Sequence, residues 1–511
     1  MSTTSLRPGW RESLSIIADR KTFIMLCLGF SAGIPILLIF SSLSLWLREA
    51  GVERATVTFF SWAALGYSFK FVWAPLVDRL PLPVLTKHLG LRRGWLLLSQ
   101  VLVIGAIAGM AQVNPAATEG ALVWMAVFAV MLGFSSATQD IVIDAYRIEA
   151  ADARMQAIMA SSYIAGYRIG MIVAGAGALF LAAYWGSSAV QYDYRAWQLT
   201  YWCMAATMGV GVVTTLMIAE PNAPERLAVN HSDHGRLLLV FAATVAVFVG
   251  VFYLLGMPLA QWSKSLEAGA FLNLVFATLR MMLAIAAAVV VGRALVIAGV
   301  VPVETAKVTW VAPVSDFFQR YGARTAWLLL ALIGLYRISD IVLGVISNVF
   351  YQDMGFSKPE IAAAVKTFGV VIAVAGGFLG GILANRFGVM RSLMWGAILS
   401  ALTNLLFVVL AQVGHQVEWL YAVVAADNLA AGLASAAFVA FLSSLTQVSF
   451  TAVQYAIFSS LMTLLPKTLG GYSGGMVDAM GYSNFFVMTA LMGLPVIALI
   501  ALAKTRLAIQ E

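Results

Sequence analysis

Long uninterrupted apolar runs recur along the whole of this 511-residue chain. Many reach the roughly 18 residues that a helix needs to cross bilayer hydrocarbon, whereas membrane-spanning strands are about ten residues long and alternate in polarity. Only a helix satisfies every backbone hydrogen-bonding group internally over such a run. The chain is 61% hydrophobic and 11% charged, with a mean hydropathy of +0.90, which excludes a soluble domain. The sequence therefore predicts an all-α polytopic membrane protein.

The apolar runs fall into two sets of six with a further pair between them, near 238–256 and 275–297. They predict an N-terminal six-helix bundle (1–219), a linker with two extra transmembrane helices and a cytoplasmic amphipathic segment (220–324), and a C-terminal six-helix bundle (325–511). About fourteen spans result, and an even number places both termini on one side of the membrane.

Lysine and arginine are concentrated on one side of this predicted topology. With the N-terminus in the cytoplasm, roughly twenty of the 31 Lys and Arg residues fall on cytoplasmic segments and about seven on outer ones. Both termini are therefore expected in the cytoplasm. The net charge of +7 is then a topology signal, so nucleic-acid binding is not expected. Cys27 and Cys203 lie far apart in apolar runs, so no disulfide or metal site is expected.

The two sets of six spans resemble each other. REAGVERATV (48–57) followed by APLVDR (74–79) has a counterpart in YQDMGFSKPE (351–360) followed by GGILANR (380–386). These matches favour a duplicated six-helix unit. Internal repeats around a central site are typical of secondary transporters.

Eight ionisable residues lie inside predicted spans. A charge at a lipid-facing helix centre costs at least about 2.5–3.5 kcal/mol, so each should face a partner or a water-filled cavity. Two interpretations stay open for each: a substrate or proton site, or a structural ion pair that closes a gate or fixes a helix. The residues are Lys70, Asp140, Asp144, Arg168, Arg337, Asp340, Lys366 and Asp427.

Asp140 and Asp144 share one helix face because they are four residues apart, and Gln139 lies beside them. Two like charges at this spacing repel each other, which favours a proton carrier. The alternative is that Asp144 pairs with the cytoplasmic residues Arg147 and Arg154. Asp340 and Asp427 are further proton-coupling candidates.

Basic and aromatic side chains in the spans are candidates for substrate binding. Lys70 and Arg168 could hold an anionic group, since a guanidinium engages a carboxylate with two hydrogen bonds. Arg337 is a third candidate, expected to pair with Asp340 or with a charge in the other half and to exchange partners during transport. Nearby aromatic residues would stack on a sugar or acyl face, or simply pack; they are Tyr67, Trp73, Tyr163, Tyr167 and Tyr336.

Several functional classes lack their signatures. There is no G-x-x-x-x-G-K-[ST] loop, which argues against a primary pump. No nucleophile–base constellation is recognisable, so the protein is not expected to be an enzyme. A channel would show rings of like charges around a pore. The sequence indicates a secondary transporter that needs no cofactor and no metal.

GGILANRFGVMR (380–391) resembles the loop motif of the major facilitator superfamily, Gly-x-x-x-Asp-Arg-x-Gly-Arg-Arg, with Asn385 where Asp is usual. APLVDR is a more divergent first-half copy. The resemblance implies the major facilitator fold, here two six-helix bundles plus two additional central helices. It also implies gating roles for Asp78, Arg79 and Arg386.

Within that superfamily the chain resembles the AmpG-type anhydromuropeptide permeases and the related acetyl-CoA-transporter-like proteins. The motif SATQDIVIDA is the strongest signal, supported by four others. All five are GFSAGIPILL (29–38), FKFVWAPLVDR (69–79), RRGWLL (92–97), SATQDIVIDAYRIE (136–149) and GYRIGM (166–171).

This resemblance implies proton-driven import of N-acetylglucosaminyl-1,6-anhydromuramyl peptides across a bacterial inner membrane. We expect the protein to be a monomer. Such recycling of peptidoglycan fragments also feeds β-lactamase induction. Substrate contact is implied for Gly29, Gly33, Ala137 and Gln139. An acetyl-CoA-type or other anionic solute is the alternative substrate, which would need a more basic cavity for its phosphates.

Overall fold

The computed structural model describes residues 19–53, 57, 60, 66–188, 191–221, 233–265, 270–470 and 473–510, and these form helices joined by short loops. Thirteen helices of this described part are long and apolar enough to cross a membrane. The run near 54–75, predicted as the second span, is described only in part. The predicted all-α membrane fold is confirmed.

Before the linker the helices are α1 (Arg20–Ile39), α2 (Ser41–Glu49), α3 (Gly66–Phe69), α4 (Ala74–Arg79), α5 (Leu85–Leu89), α6 (Leu91–Ala111), α7 (Glu119–Ala150), α8 (Ala153–Ile172), α9 (Ala178–Tyr184), α10 (Tyr194–Thr207) and α11 (Gly209–Met217). Those that follow are α12 (His234–Leu254), α13 (Gly256–Ser265), α14 (Ala270–Ile297), α15 (Val303–Ala306), α16 (Ala312–Leu335), α17 (Ile338–Asp353), α18 (Lys358–Ile361), α19 (Gly369–Phe387), α20 (Val389–Val413), α21 (Val417–Leu445), α22 (Thr451–Gly470), α23 (Ser473–Leu491) and α24 (Gly493–Gln510).

The chain divides into two compact units. One contains the described residues of Met1–Ala74, Pro81–Ala223 and Tyr321–Glu511, and the other those of Pro75–Leu80 and Pro224–Arg320. The boundary near residue 320 coincides with a break inside α16, where Gly322 adopts φ +71°. Glycine has no Cβ and adopts this left-handed conformation without strain, so the chain turns here from the amphipathic segment into the next span.

In the second unit, α12 and α14 pack against each other and leave most of their apolar surface exposed. Only 11% and 6% of their apolar windows are buried, as expected for helices that face lipid. Two arginines, Arg280 and Arg293, lie in the apolar window of α14, and Arg280 has partners nearby. Its Nε donates a hydrogen bond to the Phe252 carbonyl at 2.6 Å, and its guanidinium lies 3.7 Å from the ring centre of the same residue.

Glycines hold α1 and α8 in close contact in the first unit. A Cβ at Gly29 or Gly33 would lie 2.1 Å from the carbonyl oxygen of Tyr163 or Tyr167, and a Cβ at Gly166 would lie 1.9 Å from that of Leu26. The two backbones therefore approach more closely than larger residues allow, which is the usual effect of glycines spaced four apart in membrane helices. This contact fixes α8, which carries much of the candidate site.

Within the same unit, α8 packs against α19 and α21, and α22 packs against α7. The hydroxyl of Ser161 donates to the Gly377 carbonyl at 2.6 Å, and Ala157 packs with Ala384 and Ala440. These contacts join the two six-helix sets near the end of the helices that the sequence predicts to face the cytoplasm. They hold the two sets together at that end.

Candidate functional site

The first element of the site is a lysine between two carboxylates. Lys70 begins a short 3-10 segment, Lys70–Val72, and is 5% exposed. Its Nζ donates to Asp140 and lies 3.7 Å from Asp144 Oδ2. The hydroxyl of Tyr163 on α8 donates to the other oxygen of Asp140 at 2.7 Å. The predicted shared face of Asp140 and Asp144 therefore binds one cation from a different helix.

Arg147 extends this group into the second half of the chain. Its Nη2 lies 3.3 Å from Asp144 Oδ1, and its Nη1 donates to Gln156 at 2.9 Å and to the Ser443 hydroxyl at 2.8 Å. The guanidinium also lies 5.1 Å from the ring centre of Tyr455 on α22. We call Lys70, Asp140, Asp144 and Arg147 the charge cluster. It carries two positive and two negative groups in their ionised forms.

Aromatic side chains surround the cluster on the first-half helices. The hydroxyls of Tyr67 and Ser136 share a hydrogen bond, and the Tyr163 and Tyr167 rings lie 6.1 Å apart. Trp73 is buried and donates from its indole nitrogen to Thr138 at 3.1 Å, which is a packing role.

The second element is a cavity of about 70 Å³ between the two six-helix sets. It has one arginine from each set, Arg168 on α8 and Arg337 just before α17, and we call it the arginine cavity. Its remaining walls are mostly small or polar; they are Ser161, Ile164, Ala373, Val374, Gly377, Asn428, Ala431, Gly432 and Ser435.

The two arginines differ in their partners. Arg337 donates from Nη1 to the Ser435 hydroxyl at 2.5 Å, and its Nε lies 3.1 Å from Asp340 Oδ2, so the predicted pair forms. Arg168 is exposed, and none of the ion pairs between described residues includes it. Asp427 on α21 lies within electrostatic reach of both Arg337 and Asp340.

Four residues with an implied substrate contact lie in the interior of the first set. Gly29 and Gly33 form the contact with α8, and Ala137 is fully buried. The amide of Gln139 donates to the Ser31 hydroxyl at 2.8 Å. Packing accounts for Gly29, Gly33 and Ala137 in this conformation, whereas the buried Oε1 of Gln139 has no hydrogen-bond partner among the described residues. Contact with substrate stays a prediction for all four.

The gating candidates lie in different units. Asp78 is buried and Arg79 half-buried at the end of α4, in the second unit. Arg386, at the end of α19 in the first unit, lies 5.6 Å from the ring centre of Phe387. The side chain of Lys366 lies outside the described residues.

The sequence does not predict the side chains through which the two halves meet. It predicts Arg147 as a cytoplasmic charge and as an alternative partner of Asp144, and not its contacts with Ser443 and Tyr455. Nothing in the spacing of Arg147 points to a residue about 300 positions away along the chain.

Comparisons with known proteins show the family of the chain. A family model described as acetyl-coenzyme A transporter 1 matches residues 21–184. The chain is 30% identical over 491 residues to the putative transporter AmpG 4 of Rickettsia conorii, covering 96% of this chain and 98% of that one. It is also 30% identical over 497 residues to the anhydromuropeptide permease of Escherichia coli K12, covering 97% and 82%.

Among solved structures, the chain is similar to the proton:xylose symporter XylE (TM-score 0.57, 14% identity, 94% of each chain covered). It is also similar to the E. coli fucose:proton symporter FucP (TM-score 0.56, 13% identity, 94% of this chain and 98% of that one). At these identities the likeness shows the fold, which is that of the major facilitator superfamily. The near full-length sequence matches to the Rickettsia conorii and E. coli proteins show the family: this chain is a secondary transporter and belongs to the AmpG family.

Proposed function

We propose that the protein imports N-acetylglucosaminyl-1,6-anhydromuramyl peptides from periplasm to cytoplasm, driven by protons, across a bacterial inner membrane. The near full-length similarity to the E. coli anhydromuropeptide permease supports this choice of substrate. The proton coupling rests on the charge cluster, which is the observation that carries the proposal.

Proton coupling requires a buried group that gains or loses a proton. It also requires a contact between the halves whose strength depends on that protonation. Asp140 and Asp144 share Lys70, so protonation of one carboxylate lets Lys70 pair fully with the other. If Asp144 then pairs with Lys70, Arg147 loses part of its anchoring. Because Arg147 also binds Ser443, the protonation state acts on a contact that holds the halves together at the predicted cytoplasmic end.

The substrate would bind where the halves separate. A cavity of about 70 Å³ holds a few water molecules or one small group, not a disaccharide, so the helices around it must move apart. Alternating access of this kind is the usual mechanism of transporters built from repeats. Tyr163 and Tyr167 would then present rings to the sugars.

The test is uptake of labelled anhydromuropeptide into proteoliposomes under an imposed inward proton gradient. The unmodified protein and Asp316→Asn, which removes an acid from the amphipathic segment, should accumulate substrate. Asp140→Asn should lose accumulation driven by the gradient. Failure of the unmodified protein to take up muropeptide at any gradient would refute the substrate.

A second candidate is transport of an acetyl-CoA-type solute, favoured by the family model that matches residues 21–184. The same proteoliposomes distinguish the two, because labelled acetyl-CoA would then accumulate and the muropeptide would not.

A further inference from the structure

The arginine cavity joins two cations that come from opposite halves of the chain. Arg168 and Arg337 both line it, and their like charges repel each other across it. Arg337 pairs with Asp340 and donates to Ser435, although its Nε makes no hydrogen bond, whereas Arg168 forms no ion pair with a described residue. A positive charge without a counter-ion is costly at membrane depth, so this cavity favours an anion.

We propose that Arg168 and Arg337 together bind a carboxylate of the substrate, and that this carboxylate replaces Asp340 as the partner of Arg337. The proposal rests on the proposed function and names the part of the substrate that each half of the chain holds. Asp340 is then an internal counter-ion that keeps Arg337 paired until substrate arrives.

The side chains that line the cavity can donate hydrogen bonds to a carboxylate. A planar carboxylate can accept two hydrogen bonds from one guanidinium fork and further bonds from a second. Asn428 uses one N–H on the Val424 carbonyl at 2.9 Å and retains a second for an acceptor.

This arrangement explains how substrate could draw the halves together. An anion held by Arg168 of the first half and Arg337 of the second is a contact that exists only when substrate is bound. Exchange of Asp340 for a substrate carboxylate also preserves the charge balance around Arg337.

The test is equilibrium binding of a labelled muropeptide to the full-length protein in nanodiscs, beside the same molecule with its carboxylates converted to primary amides. Arg168→Gln should weaken binding of the charged molecule by about 10- to 100-fold, the loss expected for charge-assisted hydrogen bonds, and leave the amidated molecule within about threefold. Asp340→Asn should tighten binding of the charged molecule, because it removes a competitor for Arg337.

Two further variants serve as controls. Arg168→Lys retains the charge but not the fork and should lie between the unmodified protein and Arg168→Gln. Arg280→Gln removes an arginine from a helix of the second unit and should bind as the unmodified protein does. Equal losses for the charged and amidated molecules in Arg168→Gln, or weaker binding in Asp340→Asn, would overturn the proposal.

A simpler probe separates this inference from the proposed function. The dipeptide L-Ala-D-Glu carries carboxylates without sugars, and its binding at millimolar concentration should depend on Arg168 even if the complete muropeptide is not the substrate. Loss of the dipeptide signal in Arg168→Gln supports the site, and an unchanged signal refutes it. Competition by acetyl-CoA stronger than by the dipeptide would assign the arginines to phosphate and contradict the carboxylate.

Discussion

The hydrogen bond from Arg147 to Ser443 joins the two halves at the predicted cytoplasmic end, and its removal by Ser443→Ala should favour the open conformation. The hydroxyl of Ser443 accepts one bond from a buried guanidinium at 2.8 Å. Hydrogen bonds to charged groups contribute about 1.5–3 kcal/mol. Because Gln156 and Tyr455 continue to hold Arg147, we expect the lower end of this range, a shift of about tenfold in the closed-to-open ratio.

Ser444 provides a matched control for this change. It is the next residue on α21 and is exposed, and its hydroxyl donates to the Phe441 carbonyl of the same helix at 2.7 Å. Ser444→Ala therefore removes a serine hydroxyl without affecting a contact between the halves, and it should leave the closed-to-open ratio unchanged.

The assay is double electron–electron resonance between spin labels at Asp152→Cys and Arg391→Cys. Both positions are exposed, one in each half, and Cys27 and Cys203 would be replaced by Ala. Ser443→Ala should enlarge the population at longer distance, whereas Ser444→Ala should not. Identical distance distributions in the two variants would refute the view that Arg147 closes this end.

Two other changes test the packing and the charge cluster. Gly166→Ala would place a Cβ 1.9 Å from the Leu26 carbonyl oxygen, so it should destabilise the protein by at least about 1–3 kcal/mol. The control variant Gly209→Ala has open space around its Cβ position and should melt within a degree or two of the unmodified protein. Equal melting temperatures for the two variants would contradict the close contact of α1 and α8. Lys70→Met leaves Asp140 and Asp144 without their shared cation and should lower the free energy of unfolding by about 3–5 kcal/mol. The double variant Lys70→Met/Asp140→Asn should regain part of that stability. Thermal unfolding in detergent measures both changes. A double variant less stable than Lys70→Met alone would show that the three charges do not act as a unit.

The fold follows from the sequence because hydrocarbon allows few alternatives. Runs of apolar residues long enough to span it must be helical, and thirteen described helices meet that requirement. The common face of Asp140 and Asp144 follows in the same way from helix periodicity. Both inferences use only local geometry.

Contacts between helices need information that periodicity does not contain. The register that brings Lys70 to Asp140, or Arg168 to the cavity of Arg337, depends on how separate helices pack, and the charges alone allow many pairings. The spacing of Gly29 and Gly33 is a local sequence pattern that indicates a close contact between helices. Their spacing of four, repeated at Gly166 and Gly170 in α8, is typical of close helix contacts and predicts packing without any reference to substrate.

The central claim is that substrate and proton cross the membrane together, and movement of protons measured during uptake tests it most directly. Proteoliposomes that contain a pH-sensitive dye, with no imposed gradient, should become more acidic inside when anhydromuropeptide is added outside, and should show no acidification with Asp140→Asn. Muropeptide uptake by the unmodified protein without internal acidification would contradict proton coupling.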